Sequence, residues 1–266
     1  AAKIPGIYVP RFYEELYRED GTILGRKKLF EDIPDVILKE IVTDVTDTHY
    51  PLKPVVPFIK VTQDRGVLEI QRGCIRGCRF CQAGQIYRPV RERNVEQLKR
   101  YATEMLRNTG HEEVSLSSLS SSDYSRLDEL LDFLIADCGQ KHTNISLPSL
   151  RIDAFSLDVM SKVQDVKKSS LTFAPEAGSQ RLRDVINKGL TEEDILKGAA
   201  LAFAGGWTRV KLYFMLGLPT ETEEDILGIG DLSNKIAAAF YETVPKDRRV
   251  NGRVQIVTST SFFIPK

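Results

Sequence analysis

The chain has 266 residues, 42% hydrophobic and 28% charged, with 37 basic side chains balancing 37 acidic ones. That is the balance of one or two globular domains, and a neutral total gives no general attraction for nucleic acid or for an acidic membrane surface. No apolar run approaches the ~20 residues of a membrane span, and the opening Ala1-Ala2-Lys3-Ile4-Pro5-Gly6 lacks an initiator Met and the apolar centre of a secretory signal.

Six of the 12 prolines fall in residues 1–57. Proline fixes φ and removes a donor, so residues 1–65 read as an irregular accessory or linker segment with a short strand or two. Residues 66–266 read as the main domain, and the chain reads as cut short at both ends. From residue 66 the pattern becomes regular. Gly66 to Gln71 is a strand candidate. Asn94 is placed to cap a helix whose apolar positions Val95, Leu98, Ala102, Met105 and Leu106 recur at helical spacing, with Gly110 as its stop.

Glu113 to Ser117 reads as a strand, Tyr124 to Ala136 as a helix, Asn144 to Leu147 as a strand and Ala154 to Val163 as a short helix. Ser170 to Ala174 is a strand and Ser179 to Asn187 a helix. Thr191-Glu192-Glu193-Asp194 is a capping-box pattern with Asp in the Glu/Gln place, opening a helix to Ala204. Thr208 to Leu216 is a strand, Thr222 to Tyr241 a helix and Arg253 to Thr258 a last strand. Strand–helix alternation of this kind builds a parallel sheet with right-handed crossovers. The fold class is therefore α/β. The pattern alone does not separate an open doubly wound sheet from a partial barrel.

The chemistry concentrates in Arg72-Gly73-Cys74-Ile75-Arg76-Gly77-Cys78-Arg79-Phe80-Cys81-Gln82-Ala83-Gly84. Of four cysteines, three lie within eight residues in the spacing C-x3-C-x2-C, and Cys138 stands apart. Clustering in a large chain points to a metal site in a reducing, cytoplasmic compartment rather than to a disulfide framework. Three thiolates can each bind one iron of a cubane cluster, leaving the fourth iron open for a ligand. A zinc site would draw its fourth ligand from Cys138, His111 or His142, all far along the chain. A redox pair of Cys78 and Cys81 leaves Cys74 unexplained. A non-catalytic iron–sulfur electron carrier or scaffold uses the same cysteines as an enzyme would.

C-x3-C-x-aromatic-C after a first strand resembles the signature of the radical S-adenosylmethionine superfamily, and three further segments agree in order and spacing. Residues 78–93, with Gln82-Ala83-Gly84-Gln85-Ile86-Tyr87-Arg88-Pro89, look like the B12-binding radical S-adenosylmethionine proteins of unassigned function. Phe173-Ala174-Pro175-Glu176-Ala177-Gly178 resembles the methylthiotransferase core. The resemblance implies a partial TIM-type (β/α)6 barrel over 66–266. It also implies a [4Fe–4S] cluster on Cys74, Cys78 and Cys81, and reductive cleavage of S-adenosyl-L-methionine to a 5′-deoxyadenosyl radical.

Cofactor contacts are implied for Phe80 at the adenine and for Ser117, Ser118 and Ser120 at the methionine moiety. Ser149 and Arg151 would meet the ribose or carboxylate, Glu176 would accept a hydrogen bond, and Gly217 and Leu218 would flank the adenine. The family relies on a flavodoxin- or ferredoxin-like reductant. Cobalamin would enter through a domain outside this chain: Asp47-Thr48-His49 begins the cobalamin motif D-x-H-x-x-G, but Leu52 stands in the glycine place, so His49 reads as a loop histidine. Arg72, Arg76, Arg79, Arg88, Arg91 and Arg93 crowd the cysteine loop. They suit either field tuning of the cluster or an RNA partner such as a tRNA base, and the neutral total favours the first. Cys138 reads as a buried structural thiol.

Overall fold

The computed structural model describes residues 4–46, 49–59, 61–139, 143–147, 151–152, 171–249 and 253–265. The chain divides into two compact units, residues 1–44 and 45–266.

The first unit is built on one hairpin. Strand β1 (Tyr13–Tyr17) pairs antiparallel with β2 (Ile23–Lys28). The Asp20 carboxylate closes the connection by accepting from the Thr22 amide at 2.9 Å and hydroxyl at 2.7 Å, an Asx-type device.

The second unit opens with β3 (Gly66–Glu69), followed by a small antiparallel pair, β4 (Gln71–Arg72) with β5 (Arg91–Glu92). This pair pinches together the two ends of the segment that holds the three cysteines and the short helix α1 (Gln82–Ile86). Neither the pair nor α1 has a periodicity long enough to show in the sequence. Helix α2 (Val95–Thr109) is fixed at both ends as its sequence dictates. The Asn94 side chain accepts from the Glu96 and Gln97 amides at 2.9 and 3.3 Å, and Gly110 takes φ +71°.

Next come β6 (Glu113–Ser117), α3 (Leu127–Gly139) and β7 (Asn144–Ser146). Helix α3 begins three residues later than its apolar pattern suggests, because Ser121–Asp123 forms a 3-10 turn and Tyr124 is extended. The Tyr124 hydroxyl instead reaches back to the Arg93 carbonyl at 2.8 Å. The expected helix from 154 to 163 lies outside the described residues.

Strand β8 (Leu171–Glu176) leads through α4 (Gln180–Val185) and α5 (Glu192–Ala204) to β9 (Arg209–Leu216), and α6 (Glu223–Thr243) leads to β10 (Gln255–Phe262). Both α5 and α6 start on reciprocal capping boxes, Thr191 with Asp194 and Thr222 with Asp225. Strand β10 runs to Phe262, past the expected Thr258, because its ladder follows β9 to Leu216.

Two parallel sheets result, β3-β6-β7 and β8-β9-β10. In each, spatial order equals chain order. A doubly wound sheet reverses its order at a switch point; these strands do not, which is barrel-type winding. The helices pack outside. Leu98, Ala102 and Met105 of α2 and Leu130, Leu131 and Leu134 of α3 cover Leu68, Val114 and Leu116 of the first sheet. Ile195, Ala199 and Phe203 of α5 and Leu232, Ile236 and Phe240 of α6 cover Phe173, Val210 and Leu212 of the second. Each fully buried Leu, Ile or Phe here contributes roughly 1.5–3 kcal/mol. In parallel winding the three strands of each sheet end on one side, and strand C-terminal ends are where barrel enzymes gather their sites.

Residues 45–59 belong with this second unit. Tyr50 stacks on Tyr101 with ring centroids 4.9 Å apart, and its hydroxyl donates to the Val67 carbonyl at 2.7 Å.

Candidate active site

The cysteine loop follows the end of β3 and is held to a tight path. Gly73 has φ +93°, and a Cβ there would sit 2.6 Å from the Tyr87 carbonyl oxygen and 2.9 Å from that of Pro89. Only glycine fits such an approach. The Cys81 amide closes on the Cys78 carbonyl at 3.1 Å, and Cys81 then caps α1. Its sulfur accepts from the Gly84 amide at 3.4 Å, while the Cys74 sulfur accepts from the Arg76 amide at 3.4 Å.

All three thiols are free and half-buried. Burial pushes the Cys78 thiol up, while the positive charges of Lys188 and then Arg151 act to lower it. Amide donors to sulfur and nearby cations are the features that stabilise thiolates bound to iron. No group of three or more His, Cys, Asp or Glu side chains among the described residues is placed to hold a single metal ion. A cubane asks for something else, since each thiolate meets its own iron at a separate corner. Three free thiols on one loop, two of them accepting backbone amides, are a donor set that an iron–sulfur cluster can use.

Neighbouring strand ends brace the loop from two sides. From the exit of β6, Asp123 binds the Arg76 guanidinium with both oxygens, at 2.5 and 3.0 Å. Burial opposes ionisation of Asp123, but hydrogen bonds from Arg76 and then Ser120 hold its carboxyl below the usual range. From the exit of β8, the Asn187 side-chain amide donates to the Gly77 carbonyl at 2.8 Å, and the Arg79 amide donates to the Ile186 carbonyl at 2.9 Å.

The other expected contact residues fall round the same strand ends. Ser117 ends β6 and is half-buried. Ser118 Oγ accepts from the Ser120 amide at 3.1 Å and lies 3.0 Å from Ser121 Oγ. Ser120 is buried, and its carbonyl accepts from the Gln71 side chain at 2.7 Å. The serine run thus shapes its own turn.

The Arg151 amide donates to Ser122 Oγ, and its guanidinium to the carbonyls of Lys188 and Gly189, each at 3.4 Å. Arg151 therefore joins the exits of β6 and β8. Ser149 lies outside the described residues.

Glu176 sits at φ +70° beyond a register shift in β8. Pro175 has no amide to give the ladder, which explains the irregularity. The Glu176 carboxylate pairs with Lys188 at 3.0 Å. Gly217, at φ +80°, donates its amide to the Glu221 carboxylate at 2.6 Å. Leu218 is buried with Ala177, Leu182 and Ile186, and Phe80 packs on that same cluster. Phe80 and Leu218, two of the three expected adenine neighbours, are thus brought together, and the Lys188 ammonium lies 5.7 Å from the Phe80 ring centroid.

Four supporting residues had no sequence signal strong enough to single them out: Asp123, Arg183, Asn187 and Lys188. Arg183 is fully buried. It donates to the carbonyls of Ala177, Gly178 and Leu190 at 3.1, 2.9 and 3.3 Å, which fixes the turn after Glu176. Asn187 precedes Lys188-Gly189 at φ +51°, and only that Asn-x-Gly turn chemistry hinted at its place. The six arginines of the loop turn onto their own surroundings. Arg72 pairs with Glu69, Arg88 reaches the Arg76 carbonyl, Arg91 the carbonyls of Tyr87 and Pro89, and Arg93 is buried against Val45 and Glu69. Cys138 is buried in the core of the first sheet, and His49 is exposed. No helix among the described residues is long and apolar enough to cross a membrane.

Comparison with known proteins agrees with this geometry. An uncharacterized protein of Methanocaldococcus jannaschii is 40% identical over 214 residues, which is 77% of this chain and 47% of that protein. The ribosomal protein uS12 methylthiotransferase RimO of Thermotoga maritima is 23% identical over 239 residues, 84% of this chain and 54% of that one. The chain spans about half the length of these curated relatives. Among solved structures, the radical S-adenosylmethionine methyltransferase TsrM of Kitasatospora setae, with cobalamin and a [4Fe–4S] cluster bound, matches with a TM-score of 0.55 at 14% identity. The match covers 74% of this chain and 36% of that one; at this identity the likeness is one of fold, an α/β partial barrel. The sequence profile of the Radical SAM superfamily, whose enzymes use a [4Fe–4S] cluster and S-adenosylmethionine, matches residues 68–232. With more than half of its length inside that profile, the chain belongs to the Radical SAM superfamily.

Proposed function

We propose that this chain is the catalytic core of a radical S-adenosylmethionine enzyme in which Cys74, Cys78 and Cys81 hold three irons of the cluster. The observation that carries it is the loop itself. Three free, half-buried thiols sit on the loop that follows β3, two of them accepting backbone amides. When bound, the cluster supplies one electron to the sulfonium of S-adenosylmethionine, giving methionine and a 5′-deoxyadenosyl radical that takes hydrogen from a substrate.

The chain's own residues do the positioning. Asp123 and Asn187 keep the loop fixed between neighbouring strand ends. Arg151, a planar cation beside the cysteine loop, is suited to the methionine carboxylate. Ser117, Ser118 and Ser120 would offer hydrogen bonds to the methionine moiety, Ser149 would meet the ribose or the carboxylate, and Glu176 would accept a hydrogen bond from the cofactor. Phe80 and Leu218 offer an apolar wall for adenine, with the backbone of Gly217 next to it. A low-potential one-electron carrier of the flavodoxin or ferredoxin kind would supply the electron.

The test is anaerobic reconstitution with iron and sulfide, then dithionite and S-adenosylmethionine. The expected product is 5′-deoxyadenosine, absent from a Cys78→Ala control. A fully loaded cluster that gives no product, and whose reduced spectrum ignores added S-adenosylmethionine, would overturn the proposal in favour of an electron-transfer module.

A further inference from the structure

The face of the β8-β9-β10 sheet that is turned away from its helices is polar and open. Along β9, Val210, Leu212 and Phe214 are buried with α5 and α6. Successive side chains of a strand point to opposite faces, so Lys211 and Tyr213 lie on the other side. Lys211 is half-buried there and Tyr213 is 39% exposed. The ladder sets Thr172 and Val257 beside Lys211, and Ser259 beside Tyr213. Thr172 is exposed, and Val257 and Ser259 are half-buried. Strand β9 is the middle strand of a parallel sheet. Such strands are ordinarily covered on both faces and apolar throughout, and barrel interiors are ordinarily packed with bulky branched side chains. This face departs from both patterns.

Its charge is also unbalanced. The three strands carry one carboxylate, Glu176, and that is paired with Lys188. Arg209 is engaged by the Gln255 side chain at 2.7 Å. No carboxylate among the described residues pairs with Lys211. Its ammonium lies instead 4.7 Å from the Tyr213 ring centroid. That contact directs the lysine along the strand and leaves its N–H donors for a ligand. A cation partly withdrawn from water, with no counter-charge of its own, is a ready partner for an anion. The hydroxyls of Thr172 and Ser259 stand on either side as further donors.

We propose that this face holds the substrate, and that the substrate is a small organic anion whose carboxylate or phosphate rests on Lys211 and whose body lies along Tyr213. The inference deepens the function proposed above and rests on it, because the radical would form at the strand ends. Tyr213 stands three residues before Leu216, so at ~3.3 Å per residue the ammonium lies about 10 Å below the end of β9. The substrate therefore spans about 10 Å between its anionic group and the carbon that gives up hydrogen. One lysine among hydroxyls suits a single anionic group. Nucleic acid binding rests on many phosphate contacts and so on several cations.

The test uses the reconstituted holoprotein with its cluster oxidised and with saturating S-adenosylmethionine, so that the place for the cofactor's own carboxylate is filled. Benzoate, phenyl phosphate and the neutral benzamide are the probes, each pairing a ring with a different head group. Their binding is measured by saturation-transfer NMR at fixed ionic strength. The wild type should bind benzoate or phenyl phosphate about tenfold more tightly than benzamide, and the better of the two anions identifies the head group. Lys211→Met should erase that preference, Lys211→Arg should keep most of it, and Tyr213→Leu should weaken all three probes. Equal binding of anions and amide by the wild type, or a preference undiminished in Lys211→Met, would overturn the proposal. So would probe binding unchanged in Tyr213→Leu, or displacement of the anions by total tRNA, which would give the face to nucleic acid. If Lys211→Met fails to load a cluster, Lys211→Gln repeats the measurement, and the wild-type comparison of anion with amide stands in either case. Failure of the enzymatic proposal shows separately, as a lack of 5′-deoxyadenosine from the holoprotein reduced with dithionite.

Discussion

Asn187 donates its side-chain amide to the carbonyl of Gly77 at 2.8 Å across 110 positions of sequence. Gly77 lies between the first two cysteines, and Asn187 lies just past α4. This bond, with that from the Arg79 amide to the Ile186 carbonyl, fastens the exit of β8 to the loop after β3. The loop's shape is thus set by a distant strand end as well as by its own glycines.

Removing that bond should loosen the cluster more than the fold. A side-chain-to-backbone hydrogen bond contributes about 1 kcal/mol, so Asn187→Ala should lose cluster to a chelator roughly fivefold faster. Asn187 also occupies φ +51°, which Asn tolerates better than Ala. Asn187→Gly removes the bond without the backbone penalty. Its melting temperature should exceed that of the Ala variant while its cluster is lost as readily. Equal cluster lifetimes in wild type and both variants would rule out this role for Asn187.

Gly73 makes a sharper case. A Cβ at Gly73 meets two backbone oxygens, at 2.6 and 2.9 Å, and the position has φ +93°. Neither oxygen belongs to a flexible side chain that can swing away. Gly73→Ala should therefore cost about 2 kcal/mol or more and reduce the iron bound per chain after reconstitution. Gly21→Ala, also at positive φ but with nothing within 4 Å, serves as a control. It should lose about 1 kcal/mol and leave iron content unchanged.

Most of the second unit was legible because its elements are long and carry their own stop signs. Asn94 and Gly110 bound α2, Thr191 with Asp194 opens α5, and Gly205-Gly206 separates α5 from β9. The cysteine spacing marked the loop for the same reason, since all its donors are close in sequence. What sequence order could not supply was the bracing. Asp123 with Arg76 is a contact over 47 positions, and Asn187 with Gly77 one over 110. Nothing local distinguishes that Asp or that Asn from any other loop residue. The β4–β5 pair escaped notice because two-residue strands have no period. The arginines drew attention by number, yet their partners, mostly backbone carbonyls, leave no trace in sequence.

Asp225 ties the loop after β9 to a measurable acid dependence. It is 3% exposed and accepts from Ser179, from Arg181, and from the Thr222 amide at 2.8 Å and hydroxyl at 2.9 Å. Burial alone would raise its pKa, but these donors, Arg181 foremost, hold the carboxyl well below its ordinary 3.8. A depressed folded-state value means that the stabilisation is present above about pH 4 and is lost as pH falls below it. Asp225→Asn should lower stability at pH 7 by about 1–3 kcal/mol, with a smaller difference from wild type at pH 3. Urea unfolding at both pH values measures this. A gap between the two proteins that stays the same or widens in acid would contradict the assignment.

Glu176 allows strain and binding to be separated. Its backbone is left-handed at φ +70°, and its carboxylate is paired with Lys188 at 3.0 Å. Glu176→Ala loses the pair and keeps the backbone strain. Glu176→Gly loses the pair and relieves the strain, so it should be the more stable of the two by about 1–2 kcal/mol. If the carboxylate serves only to hold Lys188, both variants should bind S-adenosylmethionine as tightly as the wild type when titrated into the reconstituted protein. If it accepts a hydrogen bond from the cofactor, as its place at the end of β8 suggests, both should bind it several-fold more weakly, whatever their stabilities. The second outcome is the one expected, because a non-glycine residue held in a left-handed conformation at a strand end marks a position where the chain aims a side chain.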